Sequence, residues 1–271
     1  MVYGPDGKVL DLGTKVITMR VCRELDDYKD FTVHENLIRA HSPFVDAAMR
    51  GDWKEASERM VKMRGDPACF QLYVQWLYSR QVIPYRSSTP WMKGSDRSSP
   101  AFKAFDEPFT TAFGLLVRSW ILGDLLQDIN FQDATMDACA EMCDDRTRGS
   151  WSVRIPGALV NHVYAYTTET SPLRLLLVHH AIVNRDTCIK AFKTEDYPSQ
   201  FLTDMVVASL SPEILDESVS FDNDIVNVCE MRHLHRRRAL DCYKTNTPKP
   251  TGWGLKYGGD PDPEDGEGGV A

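Results

Sequence analysis

Four residues near the end of the chain, Cys229, His233, His235 and Cys242, have side chains of the kinds that bind zinc. In their Cys-x3-His-x-His-x6-Cys order, Cys229 and His233 are four apart and share one helix face, whereas His235 points elsewhere unless the helix ends there. The spacing matches no standard finger. So loose a pattern more often means two exposed histidines beside a basic patch and two packed cysteines, and the sequence reading is therefore no metal and no cofactor. Arg236, Arg237 and Arg238 could serve nuclear import or phosphate contact. Such a run is more often the solvated side of a terminal helix, where cations suit the dipole. His179 and His180, at the end of a Leu-rich segment, take a structural reading too. No G-x-G-x-x-G, Walker loop, G-x-S-x-G or H-E-x-x-H is present, and Cys139 and Cys143 are not a C-x-x-C pair. The sequence thus assigns no catalytic residue, and the chain reads as a non-enzyme.

The composition suits a globular protein: 271 residues, 42% hydrophobic and 26% charged, enough for one large domain or two small ones. The net charge is −8, with five acidic residues between Asp260 and Glu267, so the remainder is nearly neutral and offers no field for nucleic acid. Apolar runs such as Leu173 to Val178 are much shorter than the ~20 residues of a membrane span. Gly4, Pro5, Asp6 and Gly7 stand where a leader's apolar core would lie. Seven cysteines in no framework spacing read as reduced, buried thiols. The expected setting is intracellular, cytoplasmic and/or nuclear, with no membrane partner.

The first elements follow from periodicity. Residues 1–13 are irregular. Lys15 to Cys22 alternates as a strand with Ile17, Met19 and Val21 on one face, and a second strand at Phe31 to Val33 completes a hairpin. A helical turn through Leu37 and Ile38 follows, and the chain restarts at Ser42-Pro43, a capping serine with proline at the first helical position. Phe44, Ala47 and Ala48 then share a face. Arg59 to Met63 is a third strand, and Asp66-Pro67 opens a helix whose buried side holds Phe70, Tyr73, Val74 and Leu77. From 81 to 107 three prolines and five serines interrupt every pattern, which reads as a long insertion, more often a tolerated surface loop than a binding one; Trp91, Met92, Phe102 and Phe105 would be the adhesive residues of a binding loop. Helices resume with Phe113, Leu116, Val117, Trp120 and Ile121, then with Phe131, Ala134, Ala138 and Met142.

The run V-H-x-x-L-I-x-x-x-S-P-F from Val33 to Phe44, then G-x-W-K-E-A, then F-Q-L-Y-V-Q-W-L-Y from Phe70 to Tyr78, resembles the BTB/POZ domain in order and spacing. L-V-R-S-W-I-L-G-D-L-L resembles that family's following helix, with Trp120 for its tyrosine and Gly123 for its small residue. V-Y-A-Y-T-x-E-T-S-P-L-R from Val163 to Arg174 is similar to the extension of fungal BTB proteins. The implied fold is mixed α/β, α+β-like: a small sheet flanked by helices and followed by a helical extension. The divisions are 1–13 irregular, 14–145 BTB/POZ with the insertion at 81–107, 150–244 helical extension, and 245–271 acidic disordered tail. In the extension, helices are expected at Ala158 to Thr167 (Leu159, Val163 and Tyr166 inward), Pro172 to Val183, Pro198 to Leu210 and Asp222 to Tyr243.

The resemblance implies protein–protein interaction, as an adaptor or scaffold, through Phe44, Trp53, Lys54, Glu55, Phe70 and Tyr73. In BTB proteins that recruit cullin ubiquitin ligases a hydrophobic-x-Glu triplet inserts into the cullin, and Trp53-Lys54-Glu55 is similar to it. The alternative is a triplet that packs on its own domain. A substrate-recruiting cullin adaptor and a transcription-associated regulator are thus the other functions in view. Self-association stays open, although Gly4, Pro5, Gly7 and Gly13 disfavour the N-terminal exchange helix of many BTB dimers. His34 and His41 are expected to hydrogen-bond backbone.

Overall fold

The computed structural model describes residues 2–24, 27–51, 53–83, 100–144, 155–183, 185–210, 232–235 and 240–246. The sheet comprises β1 (Val16–Glu24), β2 (Asp27–His34) and β3 (Met60–Arg64) in the order β2-β1-β3. β1 and β2 form the expected antiparallel hairpin, while β3 lies parallel to β1, so the chain crosses over between them. That crossover is made of α1 (Glu35–His41), α2 (Pro43–Ala48) and α3 (Lys54–Glu58). Alternation decides the sheet's faces: Ile17, Met19 and Val21 are fully buried and meet Val61 and Met63 of β3 in one core.

At the restart between α1 and α2, the Ser42 hydroxyl accepts from the Val45 amide at 3.2 Å and donates to the Leu126 carbonyl at 2.7 Å. One buried side chain therefore caps α2 and ties it to a helix end 84 residues later. The inward face of α2 differs from the expected one. Val45 and Met49 are buried, Phe44 and Ala48 are only packed against the core, and Ala47 is exposed. Six residues are too few for spacing alone to decide which stripe faces the core.

The helix α4 (Pro67–Ser79) begins as expected, with Asp66 accepting from the Ala68 amide and Pro67 at the first position. It buries Cys69, Phe70, Tyr73, Trp76 and Leu77. Each such large apolar side chain contributes about 1.5–3 kcal/mol on leaving water. The helix ends at Arg80, whose left-handed φ of 57° stops the spiral.

Part of the segment expected to be an insertion is helical. The helix α5 (Pro100–Leu126) starts seven residues before 107 and carries Pro108 inside it, whereas residues 84–99 lie outside the described set. Proline at the first position costs nothing. An interior proline costs about 3 kcal/mol, which the burial of Phe109, Phe113, Leu116, Val117 and Trp120 along the same helix offsets. The stretch Glu107–Leu126 is long and apolar enough to cross a membrane by length and composition, longer than the uninterrupted apolar runs of the sequence; 56% of its apolar window is buried in the protein.

Asp128 then caps α6 (Ile129–Asp144) by accepting from the Phe131 amide at 3.0 Å. The two helices cross at Gly123, where an added Cβ would lie 2.6 Å from Gln132 Cγ. Only glycine admits this approach.

Beyond residue 154 come α7 (Gly157–Tyr166), α8 (Pro172–Val183), α9 (Arg185–Phe192) and α10 (Ser199–Ser209). They form a second core with the middle of α5 and the later turns of α6. Val160, not Tyr166, joins Leu159 and Val163 inside, and Tyr166 is exposed. The T-x-x-x-S-P-L-R run has a physical role here. Arg174 donates to the Thr167 hydroxyl and to the carbonyls of Tyr164 and Thr167, closing the end of α7, while its guanidinium lies over the Tyr164 ring. Buried Ser171 accepts from the Leu173 amide and starts α8.

The expected helix from Asp222 to Tyr243 is not continuous. The chain leaves helix at His233 and is non-helical again at Leu240 to Cys242, before one helical turn at Tyr243–Asn246; residues 211–231 and 236–239 lie outside the described set. So do Cys229, the three consecutive arginines and, from residue 247, the acidic tail.

Candidate functional site

Of the six residues expected to meet a partner, three stand at the surface together. Trp53 is the residue before α3, 67% exposed; Lys54 opens the helix with its side chain in solvent, and Glu55 is half-buried in the first turn. The short helix is fixed from its other end. Arg59 adopts φ 52°, gives its amide to the Glu55 carbonyl, and sends its guanidinium to the Val16 carbonyl and the Glu35 carboxylate. The triplet thus sits on a turn bonded to β1 and α1. Phe44 is half-buried against the core.

Phe70 and Tyr73 must be corrected. Both are fully buried, 5.7 Å apart ring to ring, with Phe31 against one and Phe131 against the other. No partner can reach them in the folded protein. Helical spacing marks an apolar face but does not say whether that face meets the protein's own core or another molecule.

A second constellation lies at the end of the described chain, where histidines expected to be exposed are in fact buried, His233 at 3% and His235 at 4%. Two aspartates one turn apart on α6 hold them. Asp137 Oδ1 is 2.9 Å from His233 Nε2, and Asp133 Oδ2 is 2.8 Å from His235 Nδ1. Asp133 also accepts from the amides of Leu234 and His235, at 2.7 and 3.3 Å, so it folds the chain around itself. The other oxygen of Asp137 accepts from the Tyr243 hydroxyl at 2.5 Å and pairs with Lys244 at 2.8 Å. The second nitrogen of His233, Nδ1, faces Cys242 Sγ at 3.8 Å. One ligand atom from each of His233, His235 and Cys242 lies within 4.8 Å of the others.

Burial alone would lower the His233 pKa, but the hydrogen bond to Asp137, the contact with Cys242 and the neighbouring carboxylates raise it to about 9. Burial likewise works to raise Asp137, yet its bonds to His233, Lys244 and Tyr243 prevail and hold it below the usual carboxylate range. Asp133, where burial prevails over its donors, is shifted upward. Of the four residues flagged by type, the structure gathers three; Cys229 lies outside the described residues. Asp133, Asp137 and Tyr243 were missed. Their signal is an i, i+4 pair of carboxylates flanked by Ala134 and Ala138 on the inward side of α6.

A third polar group is buried where the ends of α1 and α4 meet the turn between α5 and α6. His41 Nδ1 lies 3.1 Å from Arg80 Nη1 and 3.8 Å from Asp128 Oδ2, its Nε2 is 3.1 Å from the Tyr3 carbonyl, and Tyr73 donates to Asp128 at 3.2 Å. The backbone bond expected of His41 is present. His34 bonds the Tyr78 hydroxyl instead, Nδ1 at 2.8 Å.

The chain matches no protein-family model, and no curated protein matches it. What can be said of its class rests on the fold, a mixed α/β protein with a small three-stranded sheet and several helices.

Proposed function

We propose that the chain is a non-enzymatic protein–protein interaction module of the BTB/POZ type, an adaptor or scaffold that assembles complexes. The observation that carries this reading is Trp53, 67% exposed on a turn fixed by Arg59. A large aromatic exposed on a turn whose backbone is bonded in place offers much area for burial, and such residues dominate interface energetics. Support for the BTB/POZ assignment comes from the β1–β2 hairpin, the Ser42-Pro43 restart and α4 with Trp76-Leu77-Tyr78 in its last turn.

A second reading, a substrate adaptor of a cullin ubiquitin ligase, is favoured by Glu55 in the first turn of α3, two residues after Trp53. Here the aromatic fills a partner groove and the carboxylate fixes its orientation. Affinity purification of the full chain beside a Trp53→Ala, Glu55→Ala variant tests both. The expected result is partners that the variant loses, with a binding deficit of about 2 kcal/mol or more. A cullin among those partners selects the adaptor. Identical partners with both proteins, or none with either, would overturn the assignment of this surface.

A further inference from the structure

We propose that His233, His235 and Cys242 form a structural zinc site, with Asp137 and Asp133 as the carboxylates that orient the two imidazoles. This inference stands apart from the interaction surface at Trp53. Two imidazoles and a thiol are the donors zinc prefers over harder cations. In metal sites a ligating histidine uses one ring nitrogen for the metal and gives the other N–H to a carboxylate or carbonyl. Both histidines here have that second contact, His233 Nε2 to Asp137 and His235 Nδ1 to Asp133. For His233 the nitrogen left over faces the thiol, at 3.8 Å. Zinc–nitrogen and zinc–sulfur bonds of about 2.0 and 2.3 Å in a tetrahedron place their ligand atoms about 3.5 Å apart. The separation of this pair needs only slight contraction, and His235, within 4.8 Å of both, has further to move.

The surroundings agree with a closed site. The two histidines are buried, and the backbone between them is fixed by Asp133 through two amides. Lys244 and the Tyr243 hydroxyl hold the far oxygen of Asp137, so that carboxylate is fixed in turn. The described residues supply three donors, and one further ligand completes a tetrahedron. On binding, the Cys242 thiol and the His233 Nδ1 each give up a proton to solvent, and the thiolate and the freed nitrogen bond the metal. Thiol, imidazole and carboxylate also occur in this order in cysteine hydrolases. A nucleophile's base needs no second imidazole with its own carboxylate beside it, which is why the metal reading is preferred.

The test uses the full chain without an affinity tag, so that no added histidines carry metal. Elemental analysis after dialysis is expected to find about one zinc per folded chain. Cys242→Ser and His235→Ala should reduce this to about a tenth or less, and Asp137→Asn should weaken zinc binding about 10–100-fold. Because these variants could lose their fold, the wild-type chain is also stripped with a chelator and titrated with cobalt(II). A thiolate-to-cobalt charge-transfer band that zinc displaces supports the site. Alkylation of Cys242, followed by mass spectrometry, should be slow with zinc bound and fast after stripping. A folded wild-type chain that holds no zinc, gives no such band with cobalt and alkylates at Cys242 equally fast with and without chelator would overturn the proposal.

Discussion

Two histidines buried almost equally, His41 at 4% and His233 at 3%, have opposite preferences for charge. Burial and the facing Arg80 push His41 down to about 4, although the Tyr3 carbonyl and Asp6 work the other way. At His233 burial works in the same sense, yet the bond to Asp137 and the surrounding carboxylates carry it up to about 9. What differs is the partner on the ring. His41 has a cation on Nδ1, with the Asp128 carboxylate further off at 3.8 Å, whereas His233 has a carboxylate directly on Nε2. Depth therefore sets the stakes and geometry sets the sign. Trp76 lies between the two groups, with the Arg80 guanidinium over its ring and the Tyr243 ring edge-on against it.

The comparison breaks most completely at Asp137. Replacing it with alanine removes the acceptor shared by His233, Tyr243 and Lys244 and leaves a buried imidazole without its carboxylate. The expected loss is about 3–5 kcal/mol, read as a lower midpoint in urea denaturation of the metal-free chain. An unchanged midpoint would mean that this segment adds nothing to the fold.

The comparison sharpens with pH at the other group. His41 has a folded pKa below its usual 6.5, so its contribution is lost as pH falls from 6.5 through about 4. Burial raises Asp128 from 3.8 to about 6, against the Phe131 amide, Arg80 and Tyr73, so its contribution is present at low pH and lost as pH rises from 3.8 through about 6. The two trends oppose one another and nearly cancel between pH 4 and 6. Asp128→Asn leaves the His41 trend uncovered: stability of the variant should fall by roughly 3 kcal/mol between pH 6.5 and 4, while these groups leave the parent nearly flat. Denaturation midpoints across that range decide it, and parallel profiles would show that the two groups do not oppose each other.

Beside His41, Ser42→Ala removes a cap and a buried donor at once, and about 1–2 kcal/mol of stability should go with them. Hydrogen exchange should show α2 and the end of α5 opening together. The smallest effect belongs to the half-buried third histidine. Tyr78→Phe deprives His34 of the hydroxyl at 2.8 Å and its amide of a weaker contact at 3.3 Å, and about 1 kcal/mol is expected in the same denaturation assay. A loss as large as that at Asp137 would mean that burial contributes less to these bonds than the comparison supposes.

The proposed interaction surface and the histidine groups were legible to different degrees. Trp53, Lys54 and Glu55 stood out because the triplet resembles a known partner-binding motif, a signal contained in three adjacent residues. Phe70 and Tyr73 were assigned to the same surface because periodicity finds a face without saying what covers it; β1, β2 and α6 cover it. Arg80 and Asp128, 48 positions apart and buried, carry no local signal that joins them. Their meeting depends on how α4 packs at the turn between α5 and α6.

The sequence by itself determined the local elements: the alternation of β1, the Ser42-Pro43 restart, the Asp66-Pro67 start of α4, the Ser171-Pro172 start of α8 and the pairing of β1 with β2. Each rests on residues within a few positions of one another, where backbone sterics, capping and period act without outside help. Tertiary structure decided the continuation of α5 through Pro108, because a buried apolar face offsets one lost hydrogen bond. It decided that the chain leaves helix at His233, because Asp133 takes the amides of Leu234 and His235. It decided the charge of two histidines as well, since a pKa depends on which carboxylate or guanidinium lies within about 4 Å, and those partners are 39 and 96 residues away along the chain.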